Sequence, residues 1–154
     1  MICTFDEIKR ICESLKTGDI KKIVFTNGCF DILHRGHVEY LSKAKLLGDV
    51  LVLGLNSDDS VRRLKGESRP INNQDDRAFV MDGLKSVDYI VIFSEDTPLE
   101  LIKITRPDVI AKGGDYTSNQ VVGKEIVEPY GGRVEIIPFV SGFSSTKTIE
   151  KLSN

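Results

Sequence analysis

Short apolar segments alternate with helix-like segments along this chain, and this alternation limits the possible folds more than any other feature of the sequence. Each apolar segment has the length of a strand, and helix-start signals or helical spacing occur between them. Strands separated by helices form parallel sheets with right-handed crossovers. The predicted strands are residues 22–26, 50–56, 88–93, 109–111 and 133–138. The sequence therefore predicts an α/β fold, a single Rossmann-like, doubly wound domain with a five-stranded parallel sheet.

The helix signals fit this arrangement. Thr4 and Glu7 have the spacing of a capping box, which predicts an N-terminal helix within residues 1–20. Further helices are predicted between the strands, including one over 121–130, and a terminal helix over 144–152. Neither a linker nor an internal repeat interrupts residues 22–152, so these form the core of one domain that spans residues 1–154.

Charge and composition exclude several classes of protein. The 154 residues contain 21 Lys and Arg against 23 Asp and Glu, a net charge of −2, so no general field attracts nucleic acid or an anionic membrane. The apolar stretches are far shorter than a membrane span, and no signal segment opens the chain. The cysteines are odd in number and lack C-x-x-C spacing, which disfavours a disulfide framework and a zinc site. We expect a cytoplasmic protein without a metal site of its own.

Both histidines of the chain, His34 and His37, fall in one H-x-G-H tetrapeptide at a predicted helix start. A helix N-terminus presents unpaired N–H groups and partial positive charge, so it binds phosphate. Gly36 lets the backbone approach an anion, and the two imidazoles can converge on it. The alternative is that His34 caps the helix while His37 packs beneath it; the pairing at this position favours the functional interpretation.

A second helix start near the C-terminus has glycine followed by hydroxyl residues. It contains Gly142, Ser144, Ser145 and Thr146, and taken alone it is best explained as an ordinary N-cap. Two such helix starts at neighbouring strand ends would hold a triphosphate better than one. Neither a Walker sequence nor G-x-G-x-x-G occurs, so P-loop, nicotinamide and flavin sites are disfavoured.

The motifs together resemble a known family. Residues 27–37, 44–49 and 144–146 resemble the H-x-G-H nucleotidyltransferase superfamily. Residues 54–58, 69–72, 95–98 and 112–116 are similar to the adenylyltransferase domain of bacterial ADP-heptose synthase. The resemblance covers residues 24–152, and because the chain holds no sugar-kinase segment, it resembles the stand-alone heptose 1-phosphate adenylyltransferases.

This resemblance implies adenylyl transfer from ATP to D-glycero-β-D-manno-heptose 1-phosphate, by direct in-line attack of the sugar phosphate on the α-phosphate. It implies that His34 and His37 are catalytic, that Mg²⁺ is carried with ATP, and that the chain forms a homodimer. The residues expected to bind the nucleotide are Asn27, Gly28, Cys29, Phe30, His34, Gly36, His37, Asp115, Gly142, Ser144, Ser145 and Thr146.

Arg62, Arg63, Lys65 and Arg69 form a local basic cluster. Arg63 and Lys65 are the members of this cluster that we expect to contact the sugar phosphate. The alternative for this cluster is a solvated face. Two other functions stay open. A glycerol- or other polyol-phosphate cytidylyltransferase is disfavoured because Phe139 stands where those enzymes carry Arg. A noncatalytic nucleotide-binding module is disfavoured because it need not keep His34 and His37.

Overall fold

Six parallel strands form the centre of the fold in the part of the chain that the structure describes. The computed structural model describes residues 1–18, 21–114, 117–138 and 149. Its strands are β1 (Ile2–Cys3), β2 (Ile23–Gly28), β3 (Val50–Asn56), β4 (Tyr89–Phe93), β5 (Val109–Gly113) and β6 (Arg133–Ile137). They lie in the order β1-β4-β3-β2-β5-β6, and every neighbouring pair is parallel. The α/β class and the parallel sheet are as predicted.

The predicted number of five strands is wrong, because the sheet has a sixth, β1. Its two residues pair with β4, Ile2 beside Ile90 and Cys3 beside Val91. A two-residue strand is too short to show an alternating pattern, and Thr4, the cap of the next helix, follows it at once. The other five strands lie where the sequence predicts them, with small differences at their ends.

Helices cover both faces of the sheet. They are α1 (Phe5–Thr17), α2 (Arg35–Lys45), α3 (Asp58–Lys65), α4 (Gln74–Asp82), α5 (Leu99–Thr105) and α6 (Lys124–Val127). No helix in these parts of the chain has the length and apolar character that crossing a membrane requires. The terminal helix predicted over 144–152 lies outside the described residues, except Ile149.

Alternate side chains of the strands build two separate cores. Ile23 and Phe25 of β2 pack in a cluster with α1 and α5, whereas Val24 packs with α2 and α4 on the other face. Successive side chains of a strand point to opposite faces, so a strand covered on both sides must be apolar throughout. All seven residues of β3 are buried, which explains why its limits could be read from the sequence.

The helix predicted over 121–130 is much shorter in the structure. Only α6 is α-helical, and 3₁₀ turns at Ser118–Gln120 and Glu128–Tyr130 flank it. Gly123, just before α6, has a left-handed backbone with φ of 93°. A helix cannot pass through such a residue, so the segment is divided there.

Candidate functional site

The carboxyl ends of β2 and β5 lie side by side where the direction of winding reverses. From β2 the chain continues to β3 on one side, and it later crosses over to β5 on the other. In doubly wound sheets, ligands bind in the crevice at this point. The loop after β2 leads directly into α2, so the H-x-G-H segment borders the crevice.

Two imidazole rings stack at the amino end of α2. The ring centroids of His34 and His37 are 3.8 Å apart, and their planes differ by 15°. His34 is the N-cap residue of α2, but its side chain makes no capping hydrogen bond. The interpretation of His34 as an ordinary side-chain cap therefore does not fit the structure, and both rings lie at the amino end of α2.

Burial keeps both imidazoles neutral near pH 7. It lowers the pKa of His37 to about 4, and the neighbouring His34 adds to this effect. The pKa of His34 is also lowered, again because of burial. Within the described residues, Nδ1 of His37 is buried and has no hydrogen-bond partner. A neutral imidazole has one donor and one acceptor nitrogen, so the pair can form hydrogen bonds to phosphate without carrying a permanent charge.

The ring of Phe30 packs between Gly28 and His37. A Cβ atom on Gly28 would lie 2.8 Å from Cε2 of the Phe30 ring, so only glycine fits there without displacement. Phe30 has a left-handed backbone with φ of 45°, which is unusual for a bulky residue and occurs where structure and function impose it. The Phe30 ring meets His37 edge to face, with centroids 5.1 Å apart.

A buried carboxylate fixes the loop that carries these groups. The side chain of Asp31 is 1% exposed and accepts hydrogen bonds from Nε of Arg69 at 2.5 Å and from the backbone N–H groups of Ile71 and Asn72 at 2.7 and 3.1 Å. The amide of Asn72 returns a hydrogen bond to the carbonyl of Asp31 at 2.9 Å. The segment before α4 thus holds the loop before α2.

Arg77 of α4 is a second buried group beside the loop, and sequence reasoning missed it. Its guanidinium is 1% exposed. It donates to the carbonyl oxygens of Cys29 at 2.6 Å, Asn56 at 2.9 Å and Asn72 at 3.0 Å, and to the carboxylate of Asp58 at 2.8 Å. From the sequence alone, an arginine on a helix is expected to be exposed to solvent. The signal that could have indicated its role is its place on the face of α4 that packs against the sheet.

The two residues predicted to hold the sugar phosphate differ in their surroundings. Arg63 donates to the carboxylate of Asp96 at 2.9 Å and to the carbonyl of Ser94, so its guanidinium is already engaged. Lys65, at the end of α3, is exposed. Burial raises the pKa of the Cys29 thiol, and the positive charge of Lys65 opposes this by lowering that pKa.

A further lysine occupies the edge of the crevice. Nζ of Lys112, on β5, donates to Oδ1 of Asn27, on β2, over 3.4 Å. Burial lowers the pKa of Lys112. The sequence pattern predicts that Asn27 contacts the nucleotide, but it gives no role to Lys112. The two residues are 85 positions apart and meet through the pairing of β2 with β5.

Lys45 and Cys29 are the remaining polar candidates near the motif. Nζ of Lys45 forms an ion pair with Asp88 at 2.5 Å, at the amino end of β4 and far from the crevice. Its role there is structural. The raised pKa of Cys29 keeps its thiol protonated, which is typical of a packing residue.

Comparison with known proteins identifies the family. A family model described as cytidylyltransferase-like matches residues 25–151. This span contains all but the first two residues of β2, the H-x-G-H segment, and β3 to β6. The chain belongs to the cytidylyltransferase-like family.

Several curated relatives share the name "Bifunctional protein HldE". The protein from Geobacter metallireducens is 64% identical over 151 residues, which cover 98% of this chain and 31% of the relative. The protein from Aliarcobacter butzleri is 56% identical over the same shares of the two chains. This cytidylyltransferase-like chain therefore spans less than a third of the length of these relatives.

Two solved structures are similar to this chain in fold. The lipopolysaccharide core biosynthesis protein from Thermoplasma volcanium GSS1 is 31% identical, with a TM-score of 0.63 over 78% of this chain and 97% of that one. The pantoate-beta-alanine ligase from Francisella tularensis has a TM-score of 0.67 over 99% and 77% of the two chains. At 19% identity, the ligase shows that the fold is shared and nothing more.

The structure of this cytidylyltransferase-like protein brings together only part of the predicted site. Asn27, Gly28, Cys29, Phe30, His34, Gly36 and His37 lie at the end of β2 or at the start of α2. Asp115, Gly142, Ser144, Ser145 and Thr146 lie outside the described residues. Among the residues that are described, no group of three or more His, Cys, Asp or Glu could hold a metal ion.

Proposed function

We propose that this member of the cytidylyltransferase-like family transfers the adenylyl group of ATP to D-glycero-β-D-manno-heptose 1-phosphate, giving ADP-heptose and pyrophosphate. The stacked pair of neutral imidazoles, His34 and His37, at a helix N-terminus beside the crevice carries the proposal. Heptose and ATP as substrates are supported by the motif resemblance to ADP-heptose synthase and by identities of 56–64% to the HldE proteins. The relative named for lipopolysaccharide core biosynthesis supports a use of ADP-heptose in lipopolysaccharide synthesis.

The proposed reaction needs no covalent enzyme intermediate. An anionic oxygen of the sugar phosphate attacks the α-phosphorus of ATP and forms the new P–O bond. The bond between the α-phosphorus and the oxygen that bridges to the β-phosphate breaks, and pyrophosphate takes the electron pair. The nucleophile is already deprotonated, so the enzyme's part is to align the reactants and to stabilise the charge that develops on the phosphates. His34 and His37 donate N–H hydrogen bonds to these oxygens.

The remaining nucleotide contacts are proposed from the motif. Asn27, Gly28, Cys29 and Phe30 border the nucleotide, and Gly36 lets the start of α2 approach the phosphates. Asp115, Gly142, Ser144, Ser145 and Thr146 complete the nucleotide site in this proposal. Imidazoles and backbone N–H groups suit phosphate oxygens rather than a hard cation. Mg²⁺ therefore comes with ATP, held mostly by phosphate oxygens, and it neutralises phosphate charge.

The sugar phosphate is assigned in this proposal to the end of α3 that carries Lys65. Because Arg63 is paired with Asp96, Lys65 is the stronger cationic contact of the two. Lys65→Ala should therefore raise KM for the sugar phosphate about tenfold and leave KM for ATP nearly unchanged, as loss of one charge-assisted hydrogen bond would. Arg62→Ala is the matched control, since Arg62 is an exposed cation of the same helix that pairs with Asp59 at 2.6 Å. Equal effects of the two variants on both KM values would show that the cluster is a solvated face.

Pyrophosphate release tests the whole proposal. We would measure kcat/KM for ATP, CTP, GTP and UTP, each with heptose 1-phosphate, mannose 1-phosphate and glycerol 3-phosphate. The highest value is expected for ATP with heptose 1-phosphate. The highest value for CTP with glycerol 3-phosphate would make the protein a cytidylyltransferase. Nucleotide binding without pyrophosphate release from any pair would make it a noncatalytic module.

A further inference from the structure

The four hydrogen bonds of Arg77 join three segments that are distant in sequence. One acceptor, the Cys29 carbonyl, is in the loop that leads to Phe30 and the histidines. Two acceptors, the Asn56 carbonyl and the Asp58 carboxylate, lie where β3 passes into α3, the helix that ends at Lys65. The fourth, the Asn72 carbonyl, belongs to the segment that binds Asp31.

These acceptors come from the two halves of the proposed site. The loop after β2 borders the nucleotide, and α3 carries the lysine assigned to the sugar phosphate. Arg77 is the buried group that bonds to both, within the part of the chain that the structure describes. A planar guanidinium with a fixed fork of donors sets the angle between its acceptors, which the compact ammonium of lysine cannot do.

The energetics also favour a geometric role. A buried ion pair adds little net stability, because desolvation of both charges offsets their attraction. The pair of Arg77 with Asp58 is partly of this kind, since the Arg77 side chain is 1% exposed whereas that of Asp58 is 21% exposed. What the guanidinium does supply is a fixed position for three backbone carbonyls, among them that of the residue preceding Phe30.

We infer that Arg77 is a positioning residue that holds the nucleotide half and the sugar-phosphate half of the site at the separation that in-line transfer requires. The inference rests on the proposed function for the identity of the two substrates. Arg77 itself is buried among protein groups and acts through Cys29 and through α3. A small displacement of aligned reactants lowers the rate of the chemical step by about 10²-fold without weakening the binding of either reactant.

The variant Arg77→Lys keeps the charge and removes the fork, so it separates geometry from electrostatics. It should lower kcat by about 10- to 100-fold, with both KM values within about threefold of the wild type. Since the chain has only two histidines, the two imidazole Cε1–H signals in an NMR spectrum report on the site without any substrate. Both signals should shift in Arg77→Lys, because the Cys29 carbonyl moves and Phe30 and the ring pair move with it.

Lys45→Met is the control, because it breaks the ion pair with Asp88 at the opposite edge of the sheet. It should lower the free energy of unfolding but leave kcat and both imidazole signals unchanged. Folded Arg77→Lys protein with wild-type kcat and unshifted imidazole signals would overturn the inference, and so would an equal effect of Lys45→Met.

Asp58→Asn serves if Arg77→Lys does not fold. This variant keeps Arg77 and its three carbonyl acceptors but weakens the bond to α3. We expect a smaller fall in kcat than in Arg77→Lys, together with shifted imidazole signals. Unshifted signals would overturn the inference. If the wild type releases no pyrophosphate from ATP and heptose 1-phosphate, the proposed function fails. The imidazole signals then still decide whether Arg77 positions the loop.

Discussion

At the scale of single residues, the spacing of His34 and His37 predicts that both lie at one helix start, and the structure adds how they meet. His34 is the N-cap residue of α2 and His37 is its third residue, and side chains at these two positions lie next to each other, as they do in a capping box. The 3.8 Å stack and the edge contact with Phe30 then bury His37 enough to lower its pKa to about 4. The proposed catalytic groups are therefore neutral donors near pH 7.

Replacing His37 by Asn should lower kcat by about 10²-fold or more, because one donor to the developing phosphate charge is lost. The measurement is steady-state pyrophosphate release at pH 7.5 with protein shown to be folded by circular dichroism. Ser42→Ala is the control on the same helix, since the Ser42 hydroxyl donates to the Val38 carbonyl of α2 at 2.8 Å. A folded His37→Asn enzyme with near-normal kcat would remove His37 from the mechanism.

The lowered pKa of His37 also predicts how stability depends on pH. The imidazole has a pKa of 6.5 in the unfolded chain and about 4 in the folded protein, so the unfolded state takes up the proton first as the pH falls. The contribution of this group to stability is complete above pH 6.5 and is lost between pH 6.5 and 4. Urea unfolding over this range should show a steeper fall for the wild type than for His37→Asn. Parallel curves for the two proteins would mean that His37 is not buried in solution.

At the scale of elements, the sequence predicts a segment well where a local signal determines it. The capping box of Thr4 and Glu7 starts α1 as predicted, and the apolar run 50–56 is β3 without any change of its limits. The same approach gives a helix over 121–130, because glycine is compatible with a helix and nothing local shows the sign of its φ angle. Gly123 is left-handed in the structure and lies in a tightly packed place, since a Cβ atom there would lie 2.7 Å from Cδ1 of Ile102.

Gly123→Ala should therefore destabilise the protein in two ways, by backbone strain and by overlap with Ile102. Gly131→Ala is the matched control, because Gly131 has φ of 87° but nothing within 4 Å of a new Cβ atom. The control should lose about 1–2 kcal/mol of unfolding free energy from the left-handed backbone alone, and Gly123→Ala about 1–3 kcal/mol more from overpacking. Urea unfolding measures both variants. Equal losses would show that Ile102 adjusts at no cost.

At the scale of the whole molecule, the strand order makes one part of the site predictable and leaves another hidden. Strands that alternate with helices bring the segment after β2 to the carboxyl edge of the sheet, so the location of the histidines follows from the pattern. The bonds of Arg77 to Cys29 and of Asp31 to Ile71 span 48 and 40 residues. Buried charges in such contacts have no local signature, because a charged residue on a helix or in a loop is ordinarily solvated.

The assembly of the whole molecule is the last prediction, a homodimer with twice the 17.2 kDa mass of the chain. A net charge of −2 opposes association only weakly. On α4, Ala78 and Met81 are buried, whereas Phe79 is 78% exposed, so a large apolar ring faces outward. Burying such a ring against a second copy would favour a dimer by about 1.5–3 kcal/mol per ring.

Sedimentation velocity at micromolar concentration should give the mass of a dimer for the wild type and of a monomer for Phe79→Glu. Leu46→Glu is the control, because Leu46 is 85% exposed and lies at the far end of α2. It adds the same charge to another exposed apolar position and should leave the dimer intact, since burying a carboxylate is costly only where the surface becomes desolvated. A wild-type protein that sediments as a monomer would refute the dimer, and a dimeric Phe79→Glu would move the interface away from α4.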